Sequence, residues 1–427
     1  MPNNHHDHMR YLILNMIYRF GPISRTELIA ITDYRPASVG EIIKELLAEQ
    51  LIVETGRLST GHGRKRTLLE LNKSFICSIG ISITSKCVTT VMAQLDGEIL
   101  NRFEDEIDDL ELKGDLTDRI VNRVQELLAA NSDRRIVGIG IGDPLYDPSY
   151  YTLDKTLVSN YNHFNDWVHF ILKPKLERAS GLLVKSMSPV TLPALMEMRF
   201  GVARGVRDFI CVELSNGIGA SICANGSVIA GANNVAGELG HTVVDLSGRS
   251  DRLCYCGKPG CVETSTAYPA LVRDIKDALN RGVYSSLSGI PDVQNTLGLA
   301  DIRRALDEGD ATCRFYVAQA ARRIGTAIAN AVNLLNPELV VLYGFMLDLG
   351  DFFLDELSKS IHKNVLVLAK NFEIKVSASL ESSIPLGAAA EMFTIYLRSD
   401  DYKWIYRLVP EHTEAAEGFP AHVEAHH

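Results

Sequence analysis

The sequence predicts two kinds of folding unit in one chain: a small, mostly helical winged helix-turn-helix and a larger α/β body of two lobes. Three observations carry this. Residues up to Asn72 hold three short amphipathic helical patterns and then a Gly-rich basic hairpin. Beyond Asn72, a succession of three strands, a helix and a strand occurs twice. The charge divides at the same place: within a net −10, residues 1–72 carry nine Lys/Arg against eight Asp/Glu, and the remainder 34 against 45. A length of 427 residues suits two or three folding units, and 46% hydrophobic with 22% charged residues excludes a disordered chain. No apolar run reaches the roughly 18 residues of a membrane span, and the opening MPNNHHDHMR lacks the apolar core of a signal peptide. A cytoplasmic chain without membrane insertion is therefore expected.

The first helix is written in Leu12, Ile13, Met16 and Ile17, and Gly21-Pro22 ends it. Ser24 and Glu27 form a capping box for a second helix over Arg25–Ile31. After the turn Thr32-Asp33-Tyr34, Pro36 suits the first turn of a third helix reaching Glu49, whose buried face is Val39, Ile42, Ile43, Leu46 and Leu47. Residues 51–54 and 67–71 read as strands flanking a long hairpin tip from Gly56 to Arg66. In a winged helix-turn-helix, the third helix lies in the major groove and the wing reaches phosphates or the minor groove. The candidate DNA contacts are thus Arg35, Ala37, Ser38, Gly40 and Lys44 on the helix, with His62, Arg64, Lys65 and Arg66 on the wing. The plainer reading is a three-helix protein-interaction module with a solvated hairpin. Clustering of the basic residues where phosphates would lie favours DNA.

In the body, 76–83, 87–95 and 98–100 form a predicted meander, followed by a helix over 116–130 and a strand over 136–141. The second round has strands at 209–214, 217–223 and 226–229, a helix over 312–335 and a strand at 339–342. The chemistry is densest from Gly237 to Glu263, GELGHTVVDLSGRSDRLCYCGKPGCVE. His241, Cys254, Cys256 and Cys261 fall within 21 positions, and a cytoplasmic Cys cluster is more often metal-binding than disulfide-bonded. One imidazole and three thiolates make a closed tetrahedral set, which points to one structural Zn²⁺ per chain. The alternative is scattered reduced Cys and a surface His, against which the turn Gly257–Gly260 returns Cys261 towards Cys256. Cys77, Cys87, Cys211, Cys223 and Cys313 sit in apolar contexts and read as core.

The string Gly-Glu-Leu-Gly-His with Cys-x-Cys-Gly-x-x-Gly-Cys-x-Glu resembles the signature of the ROK family, bacterial sugar kinases and sugar-responsive repressors. The stretches 332–338 (VNLLNPE) and 386–389 (LGAA) extend the resemblance almost to Leu397, and the N-terminal segment places it in the repressor branch, with the xylose and N-acetylglucosamine repressors. The resemblance implies an actin-like, ribonuclease-H-like duplicated fold with sugar bound between the lobes. The expected organisation is 1–72 as DNA reader and 73–398 as sensor, with lobes at about 73–185 plus 385–398 and at 186–384. Residues 399–427 form a tail without assigned function. It also implies that Glu238, His241 and Glu263 touch sugar hydroxyls, as does Asn160 in the loop 159–167. On residue chemistry alone, the alternatives are that Glu238 only caps a turn and that Glu263 only opens a helix over 263–279.

The family's kinase parts are missing. Its base, an Asn-Asp pair before a helix ending Glu-x-x-Phe-Gly, falls at Ser188-Pro189, and no Asp or Glu occurs from Arg178 to Met196. The first phosphate loop reads Ser82-Ile83-Thr84-Ser85-Lys86 without its carboxylate and Gly, and the second has Ser215-Asn216 before Gly217. No catalytic residue is therefore expected. The expectation is a repressor of carbohydrate genes that binds operator DNA as a homodimer or homotetramer and answers to a sugar or sugar phosphate. A protein partner is the alternative effector, and a sugar kinase with an appended DNA-binding segment is the alternative function.

Overall fold

The computed structural model describes residues 5–58, 66–84, 87–107, 115–142, 166–233, 235–245, 253–377 and 383–397. The chain divides into two compact units: residues up to Ile76 with those from Thr394 onward, and Cys77–Phe393. Among the described residues, no helix is long and apolar enough to cross a membrane.

In the first unit, helices span His5–Phe20, Arg25–Thr32 and Pro36–Ala48. The box at Ser24 forms: its hydroxyl accepts from the Glu27 N–H at 3.3 Å, and the Glu27 carboxylate accepts from the Ser24 N–H at 2.8 Å. Leu12, Ile13, Met16 and Ile17 are buried, as are Val39, Ile42, Ile43 and Leu46, while Leu47 lies at the margin. Three strands complete the unit, β1 (Ile23–Ser24), β2 (Ile52–Leu58) and β3 (Arg66–Leu71), in the order β1-β3-β2. The hairpin is longer than its apolar pattern indicated, because β2 and β3 pair past a bulge between Thr55 and Arg57 out to Leu58 and Arg66. Gly56, with φ +62°, supplies the bulge. β1 had no sequence signature: two residues are too short for periodicity, and only pairing with Leu68 and Leu69 makes them a strand.

The second unit holds two five-stranded sheets of identical order. The first, β6-β5-β4-β7-β8, comprises β4 (Ile76–Ile83), β5 (Cys87–Gln94), β6 (Ile99–Glu106), β7 (Arg135–Gly142) and β8 (Val184–Met187). The second, β11-β10-β9-β12-β13, comprises β9 (Phe209–Leu214), β10 (Ile218–Ala224), β11 (Ser227–Ile229), β12 (Leu339–Tyr343) and β13 (Glu373–Val376). Each is an antiparallel meander extended by two strands in the same cyclic order, which is a duplication. The helix Ser383–Leu397 lies across the first sheet, and its backbone approaches so closely that a side chain at Gly80 or Gly140 would overlap the carbonyls of Pro385 and Ala388. Ser78 Oγ donates to the Ala389 carbonyl at 2.9 Å in the same contact.

The two faces of the second sheet have different fates. Ile210, Val212, Leu214, Ile218, Val340 and Leu342 pack into the large core with the helix Ala311–Leu335. The opposite face, Phe209, Cys211, Cys223, Leu339, Val341 and Tyr343, packs against Ala194 in the helix Leu192–Arg199. Cys77, Cys211, Cys223 and Cys313 are buried, and Cys87 is half-buried.

One predicted element is corrected. The helix expected over 263–279 is two helices, Val262–Thr266 and Tyr268–Asn280, separated by Ala267 in extended conformation (φ −61°, ψ 159°). A continuous helix would need an N–H at Pro269 and would drive its ring against the Ser265 carbonyl. The break frees the Tyr268 N–H, which donates to the Ser215 carbonyl at 3.1 Å and so ties this region to the end of β9.

Candidate metal and ligand site

The site is built along the exposed edge of β10, beyond the end of β11. Gly237 has φ +96°, and a Cβ there would overlap the Ala220 carbonyl. Only glycine allows the Gly237 carbonyl to accept from the Ala220 N–H at 2.8 Å. A single turn of tight helix, Leu239–His241, follows, and Gly240 lies against the Ile218 carbonyl and the Glu263 side chain. Glu238 precedes this turn without capping it; its carboxylate stands 3.6 Å from His241 Nε2 and is half exposed. Thus the capping alternative does not describe Glu238.

The two faces of the His241 ring edge are divided. Nδ1 lies 3.5 Å from Cys254 Sγ, while Nε2 lies 2.7 Å from the Tyr255 hydroxyl. The Cys loop closes by short-range bonds: the Gly257 N–H donates to the Cys254 carbonyl (2.8 Å) and the Cys254 N–H to the Lys258 carbonyl (2.9 Å). Gly257 and Gly260 supply positive φ, and bridges Leu253–Pro259 and Val243–Cys261 fold the strand ends together. Cys256 and Cys261 Sγ consequently meet at 3.6 Å. The ligand atoms of His241, Cys254, Cys256 and Cys261 all lie within 4.8 Å of one another, a group fit to hold a metal ion. Burial, then the neighbouring Cys256 and Cys254 thiols, pushes the Cys261 thiol up to about 12. Three sulfurs packed this closely repel once ionised, and a bound cation of soft preference is what relieves that repulsion.

Glu263 sits one residue into the helix Val262–Thr266, and its Oε2 accepts from the Ile218 N–H at 2.9 Å. Burial raises its carboxyl above the usual range and the nearby Glu238 does the same, opposed by the Ile218 N–H, by His241 and by a hydrogen bond from Tyr255. The helix-opening position and the convergence on His241 therefore hold together. Tyr255 joins His241 to Glu263, and its ring stands edge-on to the imidazole at 4.8 Å between centroids. Its place between Cys254 and Cys256 carries no sequence signal of the direction its side chain takes. Asn160 lies outside the described residues.

Two of the positions aligned with the kinase motifs make local bonds. Thr84 uses its hydroxyl to close the β4–β5 turn, accepting from the Cys87 N–H at 3.0 Å. The Ser188 carbonyl accepts the Thr191 hydroxyl at 2.9 Å in the turn that opens the helix Leu192–Arg199.

On the N-terminal unit, Arg35, Ala37 and Lys44 are exposed, and Ser38 and Gly40 are partly so. A Cβ at Gly40 would meet nothing within 4 Å, so this end of the helix presents an open surface. Arg66 is exposed at the start of β3, while His62, Arg64 and Lys65 lie outside the described residues.

A family model described as the ROK family matches residues 78–393. The xylose repressor of Caldicellulosiruptor bescii is 28% identical over 405 residues, covering 92% of this chain and 97% of that protein. A glucokinase of Halalkalibacterium halodurans is 30% identical over 279 residues, 65% of this chain and 82% of its own length. Among solved structures, a ROK family transcriptional regulator described as a homologue of the Escherichia coli Mlc protein superposes with a TM-score of 0.73 at 24% identity, over 92% of this chain and 97% of its own.

Proposed function

Because the chain belongs to the ROK family, we propose that it is a sugar-responsive, DNA-binding transcriptional regulator, a repressor of carbohydrate uptake or catabolism genes. The observation that carries this is coverage. The match to the xylose repressor takes in 92% of the chain, too much to leave out the N-terminal unit, whereas the family model begins only at residue 78. Residues 1–72 are the winged helix-turn-helix reader, with Arg35, Ala37, Ser38, Gly40 and Lys44 at base edges and His62, Arg64, Lys65 and Arg66 on the backbone. Residues 73–398 are the sensor.

In the sensor, Glu238, His241, Glu263 and Asn160 hold the sugar. Each carboxylate accepts from neighbouring hydroxyls, and His241, whose Nδ1 faces Cys254 and whose Nε2 meets the Tyr255 hydroxyl at 2.7 Å, reaches the ligand together with that hydroxyl. His241 Nδ1 with Cys254, Cys256 and Cys261 would hold Zn²⁺, whose contribution is structural: it fixes the imidazole and the loop leading to Glu263. Sugar binding shifts closure of the two lobes and, through it, affinity for operator DNA bound by a dimer or tetramer.

Fluorescence anisotropy with the gene's own upstream DNA, titrated against a sugar panel, tests both halves. Tight binding that weakens at least about 5-fold with one sugar is expected, the lower end of ordinary allosteric coupling. No binding to that DNA removes the regulator, and sugar-blind binding removes the effector.

The glucokinase relative at 30% identity motivates a second reading, a sugar kinase with an appended segment. It lacks a base: Ser188 and Pro189 stand where one is required. Coupled ADP release over common hexoses should stay at background, and turnover of about 1–100 s⁻¹ would establish the kinase.

A further inference from the structure

A row of three residues crosses the second sheet at the C-terminal end of β9: Tyr343 on β12, Glu213 on β9 and Gly219 on β10 stand opposite one another and so share a face. Space is open at the β10 end of this row, since a Cβ built on Gly219 would meet nothing within 4 Å. The Gly237–His241 segment runs beyond β10 on one side of that opening, tied on by the bond from Ala220 to Gly237. Glu213 bounds the other side. Two strand spacings, roughly 10 Å, separate these walls, which accommodates one sugar ring hydrogen-bonded on both sides. A third boundary is the turn before Leu192, where the Ser221 hydroxyl, two residues from Gly219, donates to the Val190 carbonyl.

Glu213 is enclosed by protein yet keeps solvent access, as a group lining a cleft does. The Tyr343 hydroxyl donates to its Oε2 at 3.4 Å and Ser215 also bonds it, which orients the carboxyl and leaves acceptor sites over for a ligand. It is near enough to Glu263 for the two to influence each other electrostatically. Among the described residues, the partners of Glu213, Glu238 and Glu263 are hydroxyls, one imidazole and the Ile218 N–H; none is a Lys or Arg. The β9–β10 turn at Ser215–Gly217, the place where backbone N–H groups would receive a phosphate, therefore lies between two carboxyl groups.

We infer that Glu213 is a specificity-determining residue of the effector pocket, accepting a hydroxyl of an uncharged sugar and excluding phosphorylated ones. This rests on the sugar-sensor reading above and sharpens it to one class of effector. A phosphate dianion here would lose its water beside acidic groups that no Lys or Arg partners among the described residues. A neutral sugar brings hydroxyl donors to every carboxyl present.

The test is isothermal titration of the full chain with D-xylose, D-glucose and N-acetyl-D-glucosamine, each against its own terminal phosphate ester, with operator binding followed in parallel. At least one neutral sugar should bind, and its phosphate ester should bind at least 10-fold more weakly. Glu213→Gln should lower affinity for the bound sugar about 10- to 100-fold at unchanged melting temperature. One monodeoxy analogue of that sugar should bind more weakly than its parent to the wild type, yet equally with its parent to the variant. A phosphate ester bound as tightly as its sugar overturns the inference, and so does a variant indistinguishable from wild type across the deoxy series. If Glu213→Gln does not fold, the wild-type comparison of sugar and ester decides. If DNA binds but no sugar does, the effector reading itself falls, and this inference with it.

Discussion

Gly237 shows what one residue decides at this site. Its φ of +96° places it where a side chain is strained, and the Ala220 carbonyl occupies the space a Cβ would take. Gly237→Ala should destabilise the second unit by at least about 2 kcal/mol, combining a positive-φ penalty of about 1–3 kcal/mol with the overlap. Urea denaturation measures this, and sugar affinity should fall with it because Glu238 and His241 are hung from that residue. A variant as stable as wild type would mean that the segment is not held at Gly237. That His241 and the three Cys come together was legible in the sequence, because their spacing and the Gly257–Gly260 turn are local. Tyr255 and Glu213 were not. Their importance lies in where β9, β10 and the Cys loop bring them, and that depends on partners far along the chain, such as Tyr343 for Glu213.

At the scale of the element, the described residues of the Cys loop are joined by two isolated bridges, Val243–Cys261 and Leu253–Pro259, and by a few turn hydrogen bonds, and Leu253 is exposed. The proposed metal would cross-link the loop. Purified protein should carry about one zinc per chain, and Cys256→Ser or chelation should raise hydrogen exchange over 242–262 while sparing the core strand β9. Metal-free wild type with the same exchange profile would sink the metal site. Secondary structure followed the sequence wherever local chemistry governs it: the Ser24–Glu27 box, the stop at Gly21-Pro22 and the long helix Ala311–Leu335 all lie within a residue or two of expectation. The break at Ala267 was equally local, since Pro269 encodes it, and the 263–279 expectation went wrong by overlooking that proline. β1 is different in kind, because no pattern of two residues specifies a pairing with β3.

For the whole molecule, a net charge of −10 is compatible with the proposed DNA binding through its distribution, since residues 1–72 carry nine Lys/Arg against eight Asp/Glu and the acidity lies in the remainder. Affinity should then depend steeply on salt and on few groups. Replacing Arg64, Lys65 and Arg66 together by Ala should reduce the slope of log affinity against log salt by about 2 to 3, weakening binding to all sequences alike. An unchanged slope would place the phosphate contacts elsewhere. The sequence by itself determined the element types, the near-repetition of strands and helices and the grouping of His241 with Cys254, Cys256 and Cys261, because periodicity, capping, turn residues and motif spacing are short-range properties of the chain. Only the tertiary structure decided that both sheets share one strand order, that the helix Ser383–Leu397 returns across the first sheet at Gly80 and Gly140, and that Glu213 stands opposite both Tyr343 and Gly219. Each of those is a contact between residues distant in sequence, set by packing and strand pairing, which no local pattern encodes.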